Sequence, residues 1–373
     1  MKLYLIAGEA SGDARAAELM RSLSTLSPLK IEYYGAGGPE MKALAPAMED
    51  WSGEAVVGIW DVIKKYPYFR AKLAAMLREI DLLAPAAVIF IDYPGFNLRL
   101  ARAIKQRDPA ARLIYYISPQ VWAWNRRRIP QMARMLDLML CLFPFEKELY
   151  EKSGLNTTFV GHPLLDSLAA EKHGQPREET LVGLFPGSRK KEVLRIFPMM
   201  LETARIMRAS RPELRFEAAA ASEVLAATMR VMAAGTDITV RLGRAHELMN
   251  RAAAGMVTSG TATLEATFFE LPFVLVYKVA PVTWILGKWL VKVPFLGISN
   301  ILAGREIVRE FLQSDARPEL VADELLSLLN DPAKREAQQA EFRQVIAGLG
   351  QGGASVRAAE AIMAELKGQP FLA

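Results

Sequence analysis

The sequence predicts an α/β protein of two lobes, each a parallel sheet with helices packed on its faces. Three observations carry that prediction. The chain opens with an apolar run of strand length at residues 3–7. A Gly/Ser turn follows, Gly8-Glu9-Ala10-Ser11-Gly12-Asp13, and then a helix bearing Ala16, Ala17, Leu19, Met20 and Leu23. The middle of the chain does the same: residues 181–185 form a strand, Pro186-Gly187-Ser188 break it, and a charged helical pattern begins. After each start, short apolar runs alternate with helical patterns, as parallel sheets require. At 373 residues the chain is long enough for two cores of ordinary size. Two such halves, Rossmann-like in pattern, are expected to hold ligand in a cleft between them.

Taken in order, residues 31–34 form the second strand. The cluster Gly35-Ala36-Gly37-Gly38-Pro39 closes it and reads as a turn, because it lacks the spacing and downstream acidic residue of a dinucleotide loop. Residues 56–80 hold too many apolar and aromatic side chains for one face of a surface helix. Among them are Trp60, Tyr66, Tyr68 and Phe69, with Lys64, Lys65, Arg70, Lys72 and Arg78 interspersed. Two readings stand. Rings can enter an acyl boundary while cations meet anionic head groups, or a helix pair can pack on its own domain with a wet basic rim.

Residues 86–92, AAVIFID, read as a fully buried strand ending in Asp92. Ligands collect beyond the carboxyl ends of such strands, so Asp92 stands either as a catalyst or as a helix N-cap. A strand at 113–117 leads to a loop with Trp122 and Trp124 before Arg126-Arg127-Arg128. Residues 138–143 close the sheet, and Gly161-His162-Pro163 follow a strand at 157–160. A polar stretch at 171–180 marks a linker. The expected domains are therefore 1–170 and 171–350, with a tail at 351–373 that crosses back to the first. In the second domain, strands at 181–185, 214–219, 238–240, 254–258 and 273–277 alternate with helices. Residues 306–313 are expected to lead directly into the terminal helices.

Two turns in the second domain have the makings of an anion site. A strand–turn–helix leaves free N–H groups at the helix N-terminus, where the helix dipole favours negative charge. Ser188 adds a hydroxyl to the first of these and Arg189 a guanidinium fork. The second is Ser259-Gly260-Thr261 after strand 254–258, with Glu265 one turn on, where it can reach toward a ribose.

Composition narrows the class. Apolar residues make up 51% and charged residues 23%, which sets a folded globular chain apart from a disordered one. A single cysteine, Cys141, excludes an intramolecular disulfide and any multi-cysteine metal site. The N-terminus reads as a buried strand and not as a leader. The stretch 284–302, the nearest thing to a membrane span, is interrupted by Lys288, Lys292 and Pro294. A cytoplasmic location is expected. The net charge of +5 is uneven, since residues 61–134 hold fourteen Lys/Arg against five Asp/Glu. No nucleic-acid module accompanies that excess, so nucleic acid is not expected as a partner.

The strings GEASGD (8–13), FIDYPGFN (90–97), PQVWAW (119–124), GHPLLD (161–166), PGSRKKE (186–192), SGTATLE (259–265) and NILAGRE (300–306) stand in that order. Together they resemble the lipid-A-disaccharide synthases over nearly the whole chain. Each string alone is weak, and the seven in sequence are specific. The resemblance implies a GT-B glycosyltransferase that joins UDP-2,3-diacylglucosamine to 2,3-diacylglucosamine 1-phosphate (lipid X), with a lipid A disaccharide 1-phosphate and UDP as products. It implies no metal or other cofactor and a peripheral place on the anionic inner face of the cytoplasmic membrane. Some members form homodimers that exchange C-terminal domains. Catalytic roles carry over to Asp92, Asp13 and Glu9 and acceptor binding to Ser11. UDP binding falls to Ser188, Arg189, Ser259, Gly260, Thr261, Glu265, Asn300 and Glu306. Tyr93-Pro94-Gly95 after the aspartate depart from the family's usual acidic or small residue.

The residues allow that chemistry. Diphosphate departure builds negative charge that Arg189 and two helix N-termini can meet. The attacking hydroxyl needs a base, with Asp92 the first choice, Asp13 or Glu9 the second and His162 a distant third. Acylated substrates would give Trp60, Lys64, Lys65, Tyr66, Tyr68 and Phe69 an acyl or membrane role. Other readings of the same pattern are a UDP-sugar epimerase or a peptidoglycan glycosyltransferase, neither of which needs acyl-facing aromatics. A nucleotide-sugar-responsive membrane scaffold would bind UDP without turnover.

Overall fold

A computed structural model describes residues 1–51, 66–290 and 293–367. The chain divides into two compact units, Met1–Asp166 together with the segment from Leu349, and Ser167–Gly348. Each unit is built on one parallel sheet.

The first sheet has seven strands: β1 (Lys2–Ala7), β2 (Glu32–Gly37), β3 (Glu49–Asp50), β4 (Ala87–Ile91), β5 (Leu113–Tyr116), β6 (Leu138–Cys141) and β7 (Thr157–Phe159). Their order is β3-β2-β1-β4-β5-β6-β7. Strand β4 is buried along its whole length, and β1 from its second residue on. Helices on both faces leave no polar side for these strands, which is why they read as unbroken apolar runs. Tyr4, Ile6, Val88, Phe90, Leu113, Tyr115 and Met139 share one core. Burying a large apolar side chain of this kind is worth about 1.5–3 kcal/mol, which offsets the entropy of ordering the chain.

The helix Ala10–Leu26 buries Ala16, Ala17, Leu19, Met20 and Leu23, the three-and-four spacing of one face. It packs on the last helix, Ala354–Lys367, which buries Ala354, Ala358, Ala359, Ile362, Met363 and Leu366. Asp166 accepts from the amides of Gly353 (2.6 Å) and Ala354 (3.2 Å), placing a carboxylate at that helix's N-terminus. Arg357 Nε donates to the Val160 carbonyl at 2.8 Å.

The second sheet has six strands: β8 (Glu178–Phe185), β9 (Arg215–Ala220), β10 (Ile238–Leu242), β11 (Ala252–Thr258), β12 (Phe273–Tyr277) and β13 (Glu310–Leu312). Their order is β10-β9-β8-β11-β12-β13. The core joins β8, β9, β11 and β12 to the helices Lys190–Ser210 and Pro318–Asn330 through Phe197, Met200, Phe216, Met256, Leu325 and their neighbours. Both sheets reverse their direction of growth once, between β1 and β4 in the first and between β8 and β11 in the second. Connections leaving a reversal point run to opposite faces, so a crevice opens at the carboxyl ends of those strands.

Several expectations are corrected. The Gly35–Gly38 cluster is not a turn, because β2 continues through Gly37. Gly35 has φ +116°, and a Cβ there would strike the Leu5 carbonyl oxygen of β1. The polar stretch at 171–177 is held to the second unit. Lys172 pairs with Glu270 at 2.6 Å, and the Arg177 guanidinium donates to the carbonyls of Met249 and Ala252 at 2.6 and 2.8 Å. Strand β8 starts at Glu178, ahead of its apolar run, and residues 310–312 form the edge strand β13. Among the described residues no helix is long and apolar enough to cross a membrane.

Candidate active site

In the first unit the reversal point brings together the turn after β1 and the end of β4. Glu9 and Ser11 are exposed on that turn. Asp92 follows β4 with φ +45°, and Tyr93 follows it with φ +48°. Two consecutive non-glycine residues in the left-handed region cost about 1–3 kcal/mol each and persist only where surrounding bonds hold them. Those bonds are present. The Asp92 amide donates to the Tyr116 carbonyl at 3.0 Å, and the Asp92 carbonyl accepts from Tyr115 Oη at 2.5 Å and from Asn97 Nδ2 at 2.8 Å. Burial pushes the Asp92 carboxyl up to about 6, with the neighbouring Glu9 charge adding to the rise and the Tyr93 amide opposing it.

Tyr93 lies over Gly8, where a Cβ would come within 2.4 Å of its ring. Glycine at this position is what lets the ring cover the turn. The Trp51 ring stands edge-on to Tyr93 at 5.9 Å and to Phe96 at 5.1 Å, and its indole N–H donates to the Ala7 carbonyl. Trp51, Tyr93 and Phe96 therefore form an aromatic cluster against the turn after β1.

The structure gives Asp13 a different task from catalysis. It is 3% exposed and accepts from the amides of Gly38 (2.8 Å), Glu40 (2.9 Å) and Met41 (3.0 Å), so that it caps the helix Pro39–Leu44. Oδ1 accepts two of these amides and Oδ2 the third, which ties the carboxylate to the 38–41 segment. His162 is likewise structural. Burial, with Arg15 nearby, pushes it down to about 4, and its Nδ1 accepts from the Leu164 amide at 3.1 Å. Trp60, Lys64 and Lys65 lie outside the described residues, as does the side chain of Tyr66. Tyr68 is exposed on the helix Tyr66–Leu83. Phe69, expected to face lipid, instead packs on the core with its ring 6.1 Å from Phe96.

In the second unit the reversal point brings together the turns after β8 and β11. Gly187, at φ +105°, would place a Cβ 2.7 Å from Glu192 Oε2 and 3.1 Å from Thr258 Cγ2, so the turn after β8 lies against the end of β11. Ser188 and Arg189 are exposed at the start of the helix Lys190–Ser210, and Arg189 Nη1 meets Glu192 Oε1 at 3.2 Å. Gly260, at φ +145°, caps the helix Thr261–Phe268, with Thr261 exposed at its first position. Ser259 Oγ donates to the Leu296 carbonyl at 3.3 Å. The first amides of each helix have no partner within the helix, and such an N-terminus can accept an anion.

Glu265 stands 3.5 Å from His246 Nε2, and Glu171 stands 2.9 Å from His246 Nδ1. The Glu265 hydrogen bond pushes His246 up to about 9, with burial opposing and Glu171 assisting, so the imidazole is charged at neutral pH. Asn300 is not a free ligand group. It is fully buried, donates to the Val308 carbonyl and to Glu310 Oε1 at 2.8 Å each, and accepts from the amides of Ile307 and Val308. It latches the loop before β13. Glu306 is exposed and pairs with Arg309 at 3.2 Å.

Sequence reasoning missed Tyr115, Asn97, Glu192 and His246. Glu192 has a usable signal, three residues after Arg189 on a helix. The other three gain their partners only through tertiary structure.

Comparisons with known proteins agree in direction. The family model for lipid-A-disaccharide synthetase matches residues 3–364. The lipid-A-disaccharide synthase of Geobacter metallireducens is 37% identical over 373 residues, covering 97% of this chain and 96% of its own. That of Anaeromyxobacter sp. (strain K) is 39% identical over 381 residues and covers 98% of each. The chain also resembles the UDP-GlcNAc 2-epimerase from Neisseria meningitidis solved with UDP-GlcNAc, at TM-score 0.64 and 10% identity over 98% of this chain and 100% of that one. Acinetobacter baumannii MurG gives TM-score 0.58 and 12% identity over 97% of this chain and 99% of that one. At such identities the structural likeness speaks for the fold alone, and the fold is GT-B.

Proposed function

The chain belongs to the lipid-A-disaccharide synthase family of glycosyltransferases, and from that premise we propose that it joins UDP-2,3-diacylglucosamine to 2,3-diacylglucosamine 1-phosphate (lipid X). The products are the β-1,6-linked disaccharide 1-phosphate and UDP. The acceptor hydroxyl attacks the anomeric carbon from the face opposite UDP, the bond to the diphosphate breaks, and the configuration inverts. Asp92 takes the hydroxyl proton. The charge left on UDP is met by Arg189 and the amides at the starts of the helices Lys190–Ser210 and Thr261–Phe268.

The observation that carries this reading is Asp92 itself, a partly buried carboxylate at the end of β4 with Glu9 beside it and a value of about 6. Such a group is ionised at neutral pH and is a stronger base than an ordinary carboxylate, as general-base work needs. Glu9 contributes its field. Ser11, exposed on the same turn, is assigned to the acceptor. Ser188, Ser259, Gly260, Thr261, Glu265 and the exposed Glu306 are assigned to UDP.

The acceptor carries a phosphate and its membrane is anionic, and the basic excess over residues 61–134 is assigned to holding both. That excess suits peripheral binding to the anionic inner face of the cytoplasmic membrane, with Tyr68 at the lipid boundary. Replacing Lys64 and Lys65 with Glu is expected to weaken binding to vesicles containing anionic lipid. Unchanged partition would remove the membrane role of that segment.

The direct test incubates purified protein with both acyl-sugar substrates and follows UDP and disaccharide with and without a chelator. Asp92→Asn is expected to cut turnover about 10²–10⁴-fold while leaving UDP affinity near its original value. Arg189→Ala is expected to weaken UDP binding as well. Equal losses of turnover and UDP affinity in both variants would overturn these roles.

A further inference from the structure

The carboxylate assigned as base sits on a backbone that does not hold itself. Asp92 and Tyr93 are both left-handed, at φ +45° and +48°, a conformation L-residues rarely adopt twice in succession. The Asp92 amide is tied to β5 through the Tyr116 carbonyl at 3.0 Å. Its carbonyl is gripped from two sides: Tyr115 Oη, on the same strand, donates at 2.5 Å, and Asn97 Nδ2, on the helix Pro94–Arg107, donates at 2.8 Å. Asn97 also donates to the Ile91 carbonyl at 3.3 Å, and its amide donates to the Tyr93 carbonyl at 3.1 Å. Both side chains are 0% exposed. The Tyr115 hydroxyl is not needed for packing. The Tyr115 ring already lies in the core against Phe90, centroids 5.9 Å apart, and a phenylalanine would fill the same space.

We propose that Tyr115 and Asn97 are positioning residues for the transfer reaction, gripping the Asp92 carbonyl so that the left-handed turn presents the Asp92 carboxylate to the acceptor hydroxyl beside Glu9. The inference rests on the reading of Asp92 as the base and adds what aims it. Release of the carbonyl lets the Asp92–Tyr93 peptide rotate toward the ordinary extended form. That rotation swings the carboxylate out of line with the hydroxyl and toward water. A displacement of about 1 Å in a reacting group costs on the order of a hundredfold in rate, so the grip acts on turnover more than on binding.

The test uses the full chain with both substrates. For Tyr115→Phe and for Asn97→Ala, kcat is expected to fall about 10- to 100-fold, with the acceptor KM within about twofold of its original value. The acid limb of the kcat profile is expected to move below its original position as the carboxylate gains water. Added to Asp92→Asn, Tyr115→Phe is expected to cause no further loss of residual turnover, because there is no base left to aim. Lower thermal stability with kcat and the acid limb unmoved would show a purely structural role, and a kcat loss that persists in full on top of Asp92→Asn would show an effect that does not act through the base; either result overturns the proposal. If Tyr115→Phe does not fold, the Asn97→Ala profile decides by the same criteria. Full turnover in Asp92→Asn alone would instead sink the base assignment, and the aiming role with it. Loss in Asp92→Asn with original kcat and limb in Tyr115→Phe would sink the aiming role only.

Discussion

Asp92→Asn is expected to make the first unit more stable at pH 8 while it removes activity. Burial and the Glu9 charge push the Asp92 carboxyl from 3.8 up to about 6 in the folded chain. A rise of roughly two units corresponds to about 3 kcal/mol by which the folded state disfavours the ionised carboxylate. Below about pH 3 the carboxyl is protonated in folded and unfolded chains alike, and no penalty exists. As pH rises from 4 to 6 the unfolded chain ionises first, so stability falls, and above about 6 the loss is complete. Asparagine has the same shape, keeps an acceptor for the Tyr93 amide and carries no charge to desolvate. The variant should therefore exceed the original chain by up to about 3 kcal/mol at pH 8 and by only about 0.5 kcal/mol at pH 4. In a unit of this size each kcal/mol moves Tm by about 2–4 °C. Calorimetric unfolding across pH 4–8 measures the difference, and hydrogen exchange of the β4 and β5 peptides assigns the transition to this unit. A variant less stable at pH 8, or an offset that does not change with pH, would show that Asp92 is not held at a raised value and would remove the physical basis for its role.

Other expectations follow from single contacts. Glu9→Gln removes the second cause of the Asp92 rise, so the acid limb of kcat should move below about 6 in a pH-rate profile; a limb that stays or rises counts against the pairing of these carboxylates. Gly187→Ala forces a side chain onto φ +105° and against Glu192 and Thr258, and should weaken UDP binding about tenfold or more in titration calorimetry; unaltered affinity would separate this turn from the diphosphate. Asp13→Ala leaves three amides of the 38–41 segment without their acceptor and should cost about 1–3 kcal/mol in urea unfolding. A stability loss of similar size is expected for Asn300→Ala, with UDP affinity affected less than by Arg189→Ala.

Much of the fold was legible because its signals are local. A five-residue apolar run, a Gly/Ser turn and a helical pattern lie within a dozen residues of each other, which located the carboxyl ends of β1, β8 and β11. The sequence also put Asp92 at a strand end. What it could not show is which carboxylate is free. Asp13 looks equivalent to Glu9 on the same turn until its partners, 25 to 28 residues further along, are in place. Asn300 misled for the same reason, since its buried partners belong to the next loop and strand. Short edge strands such as β3 and β13 lack the length for a period to register. The Gly35–Gly38 cluster misread as a turn because a glycine-rich strand and a loop share a composition, and only the close approach of β1 tells them apart.

The central claim, that a carboxylate poised near 6 at the end of β4 takes the acceptor proton, is tested most directly by the pH dependence of kcat for disaccharide formation with both acyl-sugar substrates. The predicted result is a single acid limb near pH 6, with kcat about tenfold below its plateau at pH 5, and no such limb in the residual turnover of Asp92→Asn. A flat profile from pH 5 to 8, or the same limb surviving in Asp92→Asn, would contradict it.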